Sequence, residues 1–170
     1  MLDNSVLLSI AGNREIEINL DVWENEPSIN TELLPKTRIG TPHIAGYSFE
    51  GKVNGTKMIY DALSKFLNKT PIWTPSLPEI EMNEIKIPSG KSDEDKLYKL
   101  FSSIYDIEKD DESMRKISNL EQKDQPAYFD SLRKNYPIRR EFSNFKVILG
   151  MKDMHLKLIL ESLRFKTKII

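Results

Sequence analysis

Between residues 71 and 78 the chain carries three prolines, Pro71, Pro75 and Pro78, with Trp73 among them. Each removes a backbone donor and pushes the residue before it into extended backbone, so neither a helix nor an interior strand can run through the segment. The chain is therefore expected to divide there, into residues 1–70 and 71–170, with an extended connector at the join. Hydrophobic residues make up 39% of the 170, enough for each part to bury apolar surface of its own.

On the N-terminal side, Asp3 to Ala11 reads as a short helix with a polar cap, stopped at Gly12 and Asn13. Glu15 to Val22 alternates, with Ile16, Ile18, Leu20 and Val22 on one face and Glu15, Glu17, Asn19 and Asp21 on the other, the period of a half-solvated strand. A second short strand is expected at Thr37–Gly40. Phe49 to Leu67 fits an amphipathic helix through Phe49, Val53, Ile59, Leu63, Phe66 and Leu67, weakened early by Gly51 and Gly55.

Beyond the prolines the pattern restarts. Ile80, Met82, Ile85 and Ile87 suggest a strand, and Ser92 followed by three acidic residues caps a helix carrying Leu97, Leu100, Phe101 and Ile104. A polar segment holding Asp110, Asp111 and Glu112 reads as a solvated turn or cap, and a helix is expected from Pro126 to Asn135. The end reads strand (Phe142, Phe145, Val147, Leu149), helix (Met154, Leu158, Ile159, Leu163), strand (Phe165, Thr167, Ile169). Strands alternating with helices predict the α/β class, with the last two strands parallel across a crossover.

Composition removes several classes of function. With 25 basic and 26 acidic residues the net charge is −1, so no global field favours nucleic acid or an anionic membrane, and phosphate binding has to be local. Without cysteine there are no disulfides, no thiolate catalysis and no Cys-ligated metal, which suits a cytoplasmic setting. Asp3 precedes any basic residue and the first apolar run is short, unlike a signal peptide, and no window approaches the roughly 20 apolar residues of a membrane span. The acidic cluster at 110–112 lacks the spacing of a calcium loop, so no metal site is expected.

The residues that bear chemistry lie early. His43 sits directly after the second expected strand, in Pro42-His43-Ile44-Ala45-Gly46-Tyr47, and imidazole is the side chain able to give and take a proton near neutrality. Glu26, in Leu20-Asp21-Val22-Trp23-Glu24-Asn25-Glu26-Pro27, could orient that ring through a charge-assisted hydrogen bond. Asp21 closes a strand, where open parallel sheets bind their ligands. Taken singly each has a plainer reading: His43 as structural, Glu26 as a turn carboxylate beside Pro27, and Asp21 as the polar end of an edge strand.

Together, the order strand, Asp, Glu-Pro, strand, Pro-His-x-x-Gly resembles the D-2-hydroxyacid dehydrogenases. The fuller wording, with Glu50-Gly51-Lys52 and Gly55-Thr56, and distally Tyr105-Asp106-Ile107, Arg115-Lys116, Phe129-Asp130 and Leu132 through Pro137 with Arg139-Arg140-Glu141, extends the likeness over almost the whole chain. The resemblance implies that residues 1–70 are the tail of a Rossmann-type NAD-binding domain and that 71–170 form a small α/β dimerisation domain. It implies NAD as cofactor, His43 as proton donor and acceptor, Glu26 as its orienting carboxylate, Asp21 and Gly46 as NAD contacts, and Tyr47 as a substrate contact. The activity implied is NAD-dependent oxidation of 4-phospho-D-erythronate to its 2-oxo acid, in pyridoxine biosynthesis, by a homodimer.

Two parts of the family's machinery fall outside the sequence. The resemblance places a carboxylate-binding catalytic arginine before Met1, and no G-x-G-x-x-G occurs among the seven glycines to cradle a pyrophosphate. The expectation is a chain inactive alone unless an upstream chain supplies the missing domain. The alternative is a non-catalytic dimerisation or interaction module derived from such an enzyme, with Phe101, Tyr105, Phe142 and Phe145 buried between copies. Arg133, Lys134, Arg139 and Arg140, flanking Tyr136, suggest either a phosphate contact across that dimer or a solvated basic face.

Overall fold

The computed structural model describes residues 3–11, 16–80 and 83–170, and the expected helix stop at Gly12 and Asn13, Glu15 and Met82 lie outside them. In chain order the elements are α1 (Asn4–Ala11), β1 (Asn19–Leu20), β2 (Ile39–Gly40), α2 (Phe49–Phe66), β3 (Glu84–Lys86) and α3 (Asp93–Ile104). Then follow α4 (Ile107–Arg115), α5 (Gln125–Lys134), β4 (Lys146–Leu149), α6 (Lys157–Ser162) and β5 (Lys166–Ile169). Mixed helix with small parallel sheets agrees with the α/β class. Two compact units form, interleaved along the chain: Met1–Ala45 with Asp106–Pro137, and Gly46–Tyr105 with Ile138–Ile170.

In the first unit the Asp3 carboxylate caps α1, accepting from the backbone of Ser5 and Val6 at 2.9 and 3.0 Å. β1 and β2 pair in parallel, Asn19 with Ile39 and Leu20 with Gly40. The expected strand 15–22 thus shrinks to two residues. Its ladder gains only Arg38 N–H to Ile18 O and Thr41 N–H to Leu20 O, at 2.7 and 2.9 Å, and then Asp21 turns its carboxylate onto the next loop's backbone instead of continuing the strand. Trp23, Leu33, Leu34, Met114, Ile117 and Phe129, none more than 1% exposed, make the core.

The polar segment at 110–112 is not a solvated turn. It lies within α4, whose Asp111 is buried and accepts from Gly40 N–H at 2.7 Å while pairing with Arg115 Nε at 2.6 Å. The Arg115 guanidinium also donates to the carbonyls of Leu34, Thr37 and Arg38 at 3.1, 2.9 and 3.1 Å. One Asp–Arg pair at i and i+4 therefore clamps the run leading into β2. Gly40 is tight against the same core: a Cβ there would meet Leu34 Cδ1 at 2.7 Å and Trp23 Cζ2 at 3.0 Å. Gly40→Ala is expected to cost about 1–3 kcal/mol by overpacking, read by urea denaturation with Trp23 fluorescence. Unchanged stability would mean that Leu34 repacks freely.

In the second unit β3, β4 and β5 form an all-parallel sheet in that order. Central β4 buries Val147, Ile148 and Leu149, as a strand covered on both faces requires. Leu100 of α3, Leu156, Leu160 and Phe165 complete the core. Phe101, Phe142 and Phe165 stack with centroids 4.6 to 6.0 Å apart, so Phe101 and Phe142, both expected between copies, also pack within their own chain.

Three expectations change here. Phe142–Asn144 is a 3-10 turn, and the strand starts only at Lys146. The helix after it begins as a 3-10 segment, Met151–Leu156, whose tighter winding rotates the inward face, so Leu156 and Leu160 are buried while Leu158 is 78% exposed. On α2, Ile59, Leu63, Phe66 and Leu67 are exposed rather than buried.

Candidate active site

Glu26 and His43, 17 residues apart in sequence, meet in the first unit. His43 Nδ1 and Glu26 Oε2 are 2.8 Å apart, and the carboxylate's other oxygen accepts from Trp23 N–H at 2.7 Å. The turn that presents Glu26 hangs on Trp23, 1% exposed, whose indole N–H donates to Thr41 O at 2.8 Å. The same tryptophan therefore ties both ends of the pair to one core. With an acceptor-only carboxylate on Nδ1, that nitrogen carries the proton and Nε2 is left as the acceptor. The imidazole is 45% exposed and the carboxylate 16%, so the ring can face a ligand while its partner stays covered.

His43 adopts φ 56°, the left-handed region, which costs a non-glycine residue about 1–3 kcal/mol and persists only where the surroundings over-determine it. Asp21 does this. Its Oδ1 accepts from Thr41 Oγ1 and Ile44 N–H, both at 2.7 Å, and its Oδ2 from Ala45 N–H at 3.0 Å. Residues on both sides of His43 are thus pinned to one carboxylate at the end of β1. Oδ1 has both lone pairs engaged; Oδ2 keeps one. Sequence reasoning found Asp21 but missed this anchoring role, as it missed the Asp111–Arg115 clamp, whose only sequence signal is its i, i+4 spacing.

Gly46 and Tyr47 follow directly in the chain and belong to the second unit, at the start of α2. A Cβ at Gly46 would meet nothing within 4 Å among the described residues, so packing does not demand glycine there. Lys52, on the first turn of α2, sets its ammonium 3.9 Å from the centroid of the Tyr47 ring. The N-terminus of α2 is fixed by Ser48, whose hydroxyl accepts from Gly51 N–H at 3.0 Å and donates to Glu141. Phe49 N–H donates to Arg139 O at 2.7 Å.

Of the basic run, Arg140 is no solvated residue. Its Nε donates to Glu50 Oε1 at 2.5 Å with both side chains 10% exposed, and Arg139 stacks on Tyr105 at 4.4 Å. Burial alone would raise the Glu50 carboxyl, but the backbone N–H of Glu141 and the Arg140 guanidinium outweigh it and hold it below the usual carboxylate value. His155, expected at the surface, is exposed and contacts Asp93 at 2.7 Å, which with Lys96 keeps the Asp93 carboxyl below its usual value. No group of His, Cys, Asp or Glu able to hold a metal occurs among the described residues, and no helix among them is long and apolar enough to cross a membrane.

The structure thus sets a carboxylate-oriented histidine after a parallel strand on an α/β scaffold, an arrangement with the chemistry to pass a proton. Residues 76–161 match the family described as "Domain of unknown function (DUF3410)", and the chain belongs to it. The chain is also similar to proteins named erythronate-4-phosphate dehydrogenase. It is 41% identical over 151 residues to that of Escherichia coli O1:K1 / APEC and 42% identical over 151 residues to that of Shigella dysenteriae serotype 1 (strain Sd197). Each alignment covers 87% of this chain and 38% of the relative.

Proposed function

We propose that this chain carries the proton-transfer dyad of an NAD-dependent dehydrogenase acting on 4-phospho-D-erythronate. The observation that carries the proposal is the 2.8 Å contact of His43 Nδ1 with Glu26, whose second oxygen is fixed by Trp23. The names of the relatives supply the substrate class. Bound NAD would supply the hydride acceptor for C2 of the hydroxy acid. His43 Nε2 takes the C2 hydroxyl proton, and Glu26 stabilises the imidazolium formed, so the products are the 2-oxo acid, NADH and a proton on the enzyme.

Within the first unit, Asp21 Oδ2 retains one acceptor site that fits an amide donor such as the carboxamide of a nicotinamide. Gly46 as a cofactor contact and Tyr47 as a substrate contact belong to the same proposal on the resemblance of their loop. The sequence holds no G-x-G-x-x-G for the pyrophosphate, so turnover needs that cradle, and the carboxylate-binding arginine, from another segment or chain. The division into a coenzyme-domain portion (1–70) and a dimerisation domain (71–170) belongs to the same proposal; the family match starting at residue 76 supports it, although the compact units run across residue 70. A cytoplasmic homodimer belongs to it as well.

The non-catalytic interaction module is the second reading, favoured by the apolar side chains exposed on the second unit, among them Ile59 (73%), Phe66 (81%) and Leu158 (78%). Titration of NAD into the chain, followed by fluorescence of Trp23 and Trp73, separates the two. Saturable quenching at micromolar NAD is the expected result for a cofactor-binding chain. No response at millimolar NAD would leave the module, whose dimer sedimentation would then reveal.

A further inference from the structure

Thr41 directly follows β2 and stands two residues before His43, and its polar groups are spent on the elements that build the site. Its N–H donates to Leu20 O at 2.9 Å, its carbonyl accepts from the Trp23 indole at 2.8 Å, and its hydroxyl donates to Asp21 Oδ1 at 2.7 Å. The residue is 5% exposed, and a buried threonine that served packing alone could be exchanged for valine. Here the hydroxyl fixes a carboxylate. The other donors to Asp21 among the described residues are Ile44 and Ala45 N–H, at 2.7 and 3.0 Å, on the loop that carries His43. Those two move with the loop, so the Thr41 hydroxyl is what ties the Asp21 carboxylate to the end of the sheet.

We infer that Thr41 is a positioning residue for proton transfer: acting through Asp21, it holds His43 at φ 56° and so sets where Nε2 of the ring points. A left-handed backbone at a non-glycine residue persists only where its surroundings over-determine it, and here donors before and after His43 converge on a single carboxylate. Without the hydroxyl, Oδ1 keeps one donor, the carboxylate turns with the loop, and the backbone of His43 is released from the left-handed region. Displacing a proton-transfer group by about 1 Å is enough to cost on the order of a hundredfold in rate. The inference rests on the dehydrogenase reading above for the reaction that needs the ring positioned, whereas the hold on the ring is a property of the chain without ligands. Every residue it uses lies in the first unit.

The test compares Thr41→Val, which keeps the shape and removes the hydroxyl, with Thr41→Ser, which keeps the hydroxyl, by NMR of the whole chain. In the parent the Thr41 hydroxyl proton should exchange slowly enough to be observed, and the Ile44 and Ala45 amides should be protected. In Thr41→Val those two amides are expected to exchange about ten times faster or more, the value of a hydrogen bond to a charged group. The imidazole nitrogen-15 signals should leave the Nδ1–H pattern, while the amides of Met114 and Ile117, in the same core, stay as they are. A merely structural loss would accelerate all four amides and leave the tautomer alone. Thr41→Ser should keep the parent pattern. In a preparation competent for turnover, kcat should fall about ten- to a hundredfold in Thr41→Val with a smaller change in KM, and stay within a few-fold in Thr41→Ser. Unchanged ring signals in Thr41→Val, or equal behaviour of the two variants, overturns the inference. So does a fast-exchanging hydroxyl in the parent, a result that needs no folded variant. The NAD titration is independent of these signals. A displaced ring without NAD binding leaves the hold of Thr41 standing and removes the dehydrogenase reading, and NAD binding with an undisturbed ring does the reverse.

Discussion

Replacing Arg140 by methionine should destabilise the chain by about 3–5 kcal/mol, because it leaves a buried carboxylate without its partner. Glu50 and Arg140 are each 10% exposed, and the guanidinium also donates to Pro78 O, so one side chain joins α2, the proline connector and the segment before β4 within the second unit. The backbone donors left to Glu50, Glu141 N–H at 2.9 Å and its own N–H, cannot replace a charge. Replacing both members, Glu50→Leu with Arg140→Met, should recover much of the loss, since removing a buried pair costs far less than halving it.

The pH dependence has a definite sign. In the parent the Glu50 carboxyl lies below its ordinary value, so its contribution is complete above the ordinary carboxylate range and is lost as pH falls through the lower folded value. In Arg140→Met only burial and the backbone donors of Glu141 and Glu50 remain, burial raises the carboxyl, and protonation relieves the stranded charge. The stability gap between parent and variant should therefore narrow from pH 7 toward pH 4 in urea denaturation followed by circular dichroism. A gap that stays constant would show that Arg140 acts through packing alone.

The same pair marks where sequence reading stops. Periodicity located α1, α2, α3 and α5 to within a residue or two, because caps such as Asp3 and Ser92 and apolar spacing are local signals. The faces were less legible. The apolar stripe on α2 was clear, yet Ile59 and Phe66 are exposed, since spacing shows that a face wants covering and not what covers it. The inward face after β4 was misread because a 3-10 start changes the phase of everything behind it. Arg140 read as part of a basic run, since charge patterning cannot reveal that Glu50, ninety residues earlier, returns to meet it. Glu26 and His43 were legible because their residue types are dictated by chemistry, whereas the hold of Asp21 on the loop depends on a left-handed His43 that no sequence pattern announces.

Glu26→Gln should abolish the orientation of His43 more thoroughly than loss of charge alone would. Glu26 accepts twice, from Trp23 N–H and from His43 Nδ1–H, and glutamine has one acceptor oxygen and one donor nitrogen. If the oxygen stays with Trp23, the amide donates to Nδ1, and the proton moves to Nε2, which can no longer accept one from a hydroxyl. If the oxygen turns to His43, two donors face each other at Trp23. Nitrogen-15 NMR of the imidazole should thus report an Nδ1–H ring in the parent and an Nε2–H or disordered ring in the variant. In a preparation competent for turnover, kcat should fall about 10²- to 10⁴-fold, the range for a lost general base, with a smaller change in KM. An unaltered tautomer together with unaltered kcat would show that Glu26 holds the Trp23 turn and plays no part in proton transfer.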